Sequence, residues 1–163
     1  LHGSKWQAVV TPDGLIIALS GPWEGKVGDS TMVRGSKVVD KLAQLFEGVP
    51  EDKVCMLFGD AAYTCNRGIL TPFPLSRIAP EQEAFNNSLQ EARLAVEWAF
   101  SWVLRNFSAN HLRHNLKSGL QPVSGIWQVS VLLANCLTCL RGGNQVSMHF
   151  GTGTMTIEEY LQL

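Results

Sequence analysis

Five consecutive apolar residues, Val54-Cys55-Met56-Leu57-Phe58, run without polar interruption into Gly59-Asp60. A strand with one wet face alternates with period two, so an unbroken run bounded by turn residues predicts a strand covered on both faces, as in the middle of an α/β sheet. Helical spacing on either side points to the same class. Asp29-Ser30 opens a segment whose apolar residues Val38, Val39, Leu42, Leu45 and Phe46 step as a helix, ending near Glu47-Gly48 with Pro50 as a stop. Pro80 suits a first helical residue, and Glu81 and Glu83 favour a helix N-terminus. From there Phe85, Leu89, Ala92, Val96, Ala99, Phe100 and Val103 predict a helix of about seven turns.

Two β-prone runs, Lys5 to Val10 and Leu15 to Ser20, flank Thr11-Pro12-Asp13-Gly14, a turn sequence that predicts a hairpin. The glycine-rich stretch Gly21 to Gly28 reads as a loop, and residues 61–79 as irregular, with Pro72 and Pro74 excluding a long helix. A last apolar helix runs from about Val123 to Arg141 and stops at Gly142-Gly143. The expected organisation is one α/β domain over residues 1–143 and a tail over 144–163, mostly loop with a short helix at Ile157–Leu161.

Thirteen Lys and Arg against fourteen Asp and Glu give a net charge of −1. That excludes DNA binding through the overall field, so any nucleic-acid contact has to be local. Cys55, Cys65, Cys136 and Cys139 sit in or beside apolar runs without the spacing of a disulfide framework, which points to a reducing, intracellular setting. With no uninterrupted run of eighteen apolar residues, no membrane span is expected.

Two carboxylates are awkwardly placed. Asp60 ends the apolar strand, at the sheet edge where ligands of open α/β sheets collect, and a charge there is costly unless it is used or paired. Glu97 lies in the most apolar part of the long helix, beside its apolar stripe. If both reach one edge, they form an oxygen-rich site suited to Mg²⁺ or Mn²⁺, of the kind that serves phosphodiester chemistry. The alternative is a turn cap and a solvent-facing helix residue, and spacing leaves the two open.

The residues around them carry a resemblance. Gly59-Asp60-Ala61-Ala62-Tyr63 and Leu70-Thr71-Pro72-Phe73 resemble the G-D-x-x-Y and L-T-P-[FY] motifs of the PIF/Harbinger-type DDE transposases. Phe85-Asn86 and Ala92-Arg93-Leu94-Ala95-Val96-Glu97 are similar to the F-N and [SA]-R-x-x-V-E motifs of the same group. Trp6 to Ile16, then Gly21-Pro22-Trp23-Glu24-Gly25 with Asp29-Ser30, look like its upstream segments. Asn115-Leu116-Lys117, Leu120-Gln121-Pro122, Leu132 to Cys139 and Glu158 to Leu161 resemble fungal members. Gly28 stands where the pattern has His, and Trp98 where many members have Arg.

The resemblance implies an RNase H-like mixed sheet flanked by helices. It also implies a metal-dependent DNA endonuclease and strand transferase working in the nucleus on transposon ends and target DNA, with a separate Myb-like partner for recognition. On matching positions Asp60 and Glu97 are two of three catalytic, metal-binding carboxylates. The third belongs to a D-G-T motif on a strand before the hairpin, and no D-G-T occurs in these 163 residues. The expectation is therefore a sheet lacking its first strand and a nuclease inactive in this form. The competing expectation is a non-catalytic transposon remnant or a domesticated interaction domain. The oligomeric state stays open.

Asp29 is either the N-cap of the following helix or a further metal ligand. Arg105, His111, Arg113, His114 and Lys117 form the one basic cluster, next to Phe107, and are either DNA-phosphate contacts or a solvated connector. Cys136 and Cys139, on an apolar helix without a second pair, read as packing rather than zinc ligands. Trp6, Trp102 and Trp127 read as core.

Overall fold

A computed structural model describes residues 4–63, 65, 68–76, 78–110 and 122–162. Among them are six α-helices and two small sheets, a mixed α/β arrangement. The chain forms two compact units, one from Leu1–Gln7 with Ser20–Leu94 and one from Ala8–Leu19 with Ala95–Leu163.

Strands β1 (Ser4–Val10) and β2 (Ile16–Glu24) pair as the expected hairpin. Its turn is closed by Gly14 N–H to Thr11 O (2.9 Å) and Thr11 N–H to Leu15 O (3.0 Å). The strand continues through Gly21-Pro22-Trp23-Glu24, which corrects the loop expected there. In a two-stranded sheet every strand is an edge, so a proline without an N–H can sit where no ladder bond is lost.

In the first unit, α1 (Asp29–Ser36) and α2 (Val38–Leu45) are separated by Lys37 at φ 54°. A side chain in the left-handed region is strained, while glycine adopts it freely. Lys37→Gly should therefore raise unfolding stability by about 0.5–1 kcal/mol, readable in urea denaturation.

Strand β3 is only Leu57–Phe58 and pairs in parallel with β4 (Ile69–Leu70), in the register Leu57↔Ile69 and Phe58↔Leu70. The expectation of a central strand covered on both faces is wrong for these residues. Cys55 is exposed and Phe58 is 54 % exposed. The reason is topological: among the described residues β3 has β4 as its one partner, and the hairpin does not pair with it.

Helix α3 (Pro80–Asn106) is the long helix expected. The Gln82 side chain accepts the Ala79 N–H at 3.0 Å and so occupies one of the donors the first turn leaves open. Within the first unit Asn86 binds the Phe73 backbone twice, accepting its N–H (2.8 Å) and donating to its carbonyl (3.0 Å). The Phe73 and Phe85 rings stack edge to face at 5.4 Å. The Leu-Thr-Pro-Phe loop is thereby tied to the helix start.

The second unit holds a core of Ile16, Ala99, Val103, Val131 and Ala134, with Trp102, Phe107 and Trp127 packed against it. Helix α4 (Val123–Leu140) supplies much of it. By length and composition alone this helix could cross a membrane, with a mean hydropathy of 1.6, although polar residues interrupt its apolar run. Its buried polar groups mark a packing helix instead: Asn135 accepts the Ile16 N–H (3.0 Å) and donates to the Ile16 carbonyl (2.9 Å).

Residues 144–162 are more ordered than a tail with one short helix. Asn144 and Ser147 form a reciprocal cap that starts α5 (Gln145–Phe150), and Thr156 with Glu159 caps α6 (Ile157–Leu161). Thr152 and Thr154 donate to the Pro12 and Asp13 carbonyls (2.6 and 2.8 Å), and Asn144 donates to Gly14 (2.8 Å). Cys139, near the end of α4, is buried, and burial pushes its thiol pKa up, which keeps it protonated and unreactive, in keeping with a packing role.

Candidate functional site

The parallel β3–β4 pair ends in Gly59-Asp60, and the backbone turns sharply there. Gly59 N–H donates to Leu70 O (2.8 Å) and Tyr63 N–H to Asp60 O (2.9 Å). A side chain at Gly59 would run into Ile69 and the Tyr63 ring, so only glycine admits this close approach.

Both oxygens of Asp60 are engaged. Oδ1 accepts the Ala62 N–H at 3.0 Å, an Asx turn that fixes the side-chain direction. Oδ2 accepts from Arg93 Nη2 on α3 at 2.9 Å. The pair is half-exposed, Asp60 at 46 % and Arg93 at 38 % of their side chains.

Asp29 lies in the same unit. Ser30 Oγ donates to the Ala62 carbonyl (3.2 Å), which ties the start of α1 to the loop after Asp60. Asp29 is the first residue of α1 rather than its cap; Gly28 holds the cap position, without a side-chain bond. The Asp29 carboxylate accepts instead from Lys5 Nζ on β1, at 3.3 Å.

Tyr63 stands among these charges. Burial pushes its phenol pKa up first, then the Asp29 charge and, less, that of Asp60; Gln7 and Arg93 oppose the shift. The hydroxyl therefore stays protonated across the physiological range. The first unit thus gathers two carboxylates, two cations and a neutral phenol.

Glu97 belongs to the second unit, exposed on α3 one helical turn beyond Arg93. Arg105 is exposed in the last turn of the same helix, its Nη2 at 3.4 Å from Gln145 Oε1. The other candidate DNA contacts, His111, Arg113, His114 and Lys117, lie outside the described residues. Among the described residues no group of three or more His, Cys, Asp or Glu is gathered to hold a metal ion.

The donor chemistry nonetheless fits a hard cation. Mg²⁺ is commonly held by one or two carboxylates, with water and phosphate oxygens completing the shell. Asp60 and Asp29 are reachable oxygen ligands, each already facing a cationic side chain.

Sequence reasoning named Asp60, Glu97 and Asp29 as candidates but did not name Lys5 and Arg93, which pair with Asp29 and Asp60. Arg93 carried no local signal for this pairing, since its partner Asp60 lies 33 positions away. Lys5 carried none.

The family model described as DDE superfamily endonuclease matches residues 1–135. No curated protein and no solved structure matches the chain.

Proposed function

The chain belongs to the DDE superfamily endonuclease family, and from that premise we propose that it is the nuclease and strand-transfer part of a PIF/Harbinger-type transposase. Its substrate is DNA, at transposon ends and at the target, and its place of work is the nucleus. The family implies an RNase H-like fold for it. Asp60 and Glu97 act as two of three carboxylates that bind Mg²⁺ or Mn²⁺, with Asp29 as a further ligand beside Asp60. The observation that carries this reading is Asp60 itself. It closes a strand at a glycine-governed turn, with its carboxylate direction set by the Ala62 N–H and Arg93.

Bound divalent ions would neutralise charge on the phosphate and lower the pKa of an attacking water or 3′-hydroxyl. The residues' own work is positional. The Asx turn removes rotamer freedom from Asp60, and Arg93 holds its other carboxylate oxygen. Arg105, with Arg113, His114 and Lys117, would contact DNA phosphates, and the separate Myb-like partner that the family resemblance implies would supply sequence recognition.

A second reading is a non-catalytic transposon-derived domain, favoured by the cationic side chains that already pair with both the Asp60 and the Asp29 carboxylates. Nicking of supercoiled plasmid with Mg²⁺ or Mn²⁺ separates the two. The first reading expects nicking by a longer polypeptide that supplies an upstream Asp, and little from these 163 residues alone. No nicking by the longer polypeptide would favour the second. Nicking by the 163 residues that survives Asp60→Ala would sink the carboxylate assignment.

A further inference from the structure

The Asp60 carboxylate divides its two oxygens between different tasks. Oδ1 accepts the Ala62 N–H, as the Asx turn requires. Oδ2 is the oxygen turned toward α3, and Arg93 Nη2 sits on it at 2.9 Å. Any ion bound by Asp60 through the oxygen outside the turn therefore meets a guanidinium already in place. Asp29 repeats the pattern on a smaller scale, its Oδ1 facing Lys5 Nζ at 3.3 Å. In the first unit, both proposed ligand carboxylates are thus paired with a cationic side chain from another element.

We propose that Arg93 is a positioning residue that stands in for a divalent cation at Asp60, holding the carboxylate while no ion is bound and giving up Oδ2 when one arrives. This rests on the metal-binding reading of Asp60. Two features suit a stand-in better than a permanent structural pair. Both side chains are more than a third exposed, and ion pairs of that exposure contribute little to stability, so giving the pair up costs little free energy. Arg93 also reaches Asp60 from a helix, on a long flexible stem, whereas the Oδ1 bond is built into the turn backbone and persists after the exchange. The guanidinium spares the metal-free protein an unbalanced carboxylate, at the expense of metal affinity, because one positive charge must be displaced by another.

That trade sets the sign of the test. Mn²⁺ binding to the purified chain is measured by electron paramagnetic resonance for wild type, Arg93→Gln, Arg93→Lys and Asp60→Asn, with thermal midpoints taken in parallel without metal. Arg93→Gln is expected to tighten Mn²⁺ about three- to tenfold, by removing a charge within a few ångströms of the ion. Arg93→Lys keeps the charge and stays within about twofold of wild type. A residue that only props up the structure would loosen metal binding when removed. Unchanged or weaker binding in Arg93→Gln therefore overturns the proposal, as does equal tightening by Arg93→Lys. Should Arg93→Gln fold poorly, Arg93→Met retains the stem and carries the same expectation. The Asp60→Asn arm keeps the two readings apart. Loss of Mn²⁺ there without tightening in Arg93→Gln removes only the role of Arg93, whereas Mn²⁺ binding indifferent to Asp60 removes the metal assignment and this inference with it.

Discussion

Asp60→Asn is expected to lower metal-dependent nicking by at least about a thousandfold in a polypeptide that supplies all three carboxylates, and to change folding stability by less than about 1 kcal/mol. The first number follows from what a divalent ion contributes. Charge stabilisation of a phosphoryl transition state amounts to several kcal/mol, and each 1.36 kcal/mol is about tenfold in rate. An amide in place of the carboxylate keeps the shape and the Ala62 N–H bond, but it loses the charge that holds the ion. The second number follows from exposure. The ion pair it breaks is half open to solvent and worth at most about 1 kcal/mol. Glu97→Gln should give a comparable loss of nicking with an even smaller change in stability, because Glu97 is exposed. Both variants are to be checked by plasmid nicking beside urea denaturation of the same preparations. A variant that is well folded yet within about tenfold of wild type in rate would remove that carboxylate from the catalytic set.

The parts of the fold legible in the sequence are those governed by local chemistry. Pro80 with Glu81 and Glu83 announced the start of α3, Gly142-Gly143 the end of α4, and Thr11 to Gly14 the hairpin turn. Each is a backbone preference that acts within a few residues. What stayed hidden depends on which surfaces meet. The run Val54–Phe58 reported that the segment is apolar, not how many neighbours cover it, and a lone parallel partner leaves Phe58 half in solvent. Gly21-Pro22 reads as a loop in isolation, yet it fits a strand that, among the described residues, pairs with β1 alone. The candidate site divides the same way. Asp60 was legible as the carboxylate that ends an apolar run, although the strand end is half open to solvent rather than buried, whereas its bond to Arg93 joins residues 33 positions apart. Asn86, Asn135 and Asn144 were invisible as structural residues because an asparagine pattern carries no period. Only the structure shows that each of them ties distant backbone together.

Asn144→Ala is expected to destabilise the second unit by about 2–4 kcal/mol, although it removes only a small side chain from the segment that reads as a tail. The residue is 3 % exposed and makes bonds in three directions. Oδ1 accepts the Val146 N–H at 2.9 Å and, more weakly, the Ser147 N–H at 3.4 Å, which caps α5. Nδ2 donates to Gly14 O at 2.8 Å and to Thr138 Oγ1 at 3.1 Å, joining the hairpin turn to the end of α4. Losing an N-cap costs about 1 kcal/mol, and leaving buried polar partners unsatisfied costs about 1–3 kcal/mol more. Asn144→Ser divides the two contributions. Serine still caps the helix but cannot reach Gly14, so it should lose only about 1–2 kcal/mol. Gly14→Ala attacks the same junction from the other side. Gly14 sits at φ 87°, and an added Cβ would collide with the Asn144 amide, so the variant combines backbone strain with a displaced bond network. Because Asn144→Ala and Gly14→Ala disrupt one junction, their combined loss should fall short of the sum of the single losses. Chemical denaturation followed by tryptophan fluorescence reads this directly, since Trp102 and Trp127 pack against the core of this unit. A loss below about 0.5 kcal/mol for Asn144→Ala, the size of an ordinary surface change, would mean that α5 and the hairpin turn are not joined through this side chain.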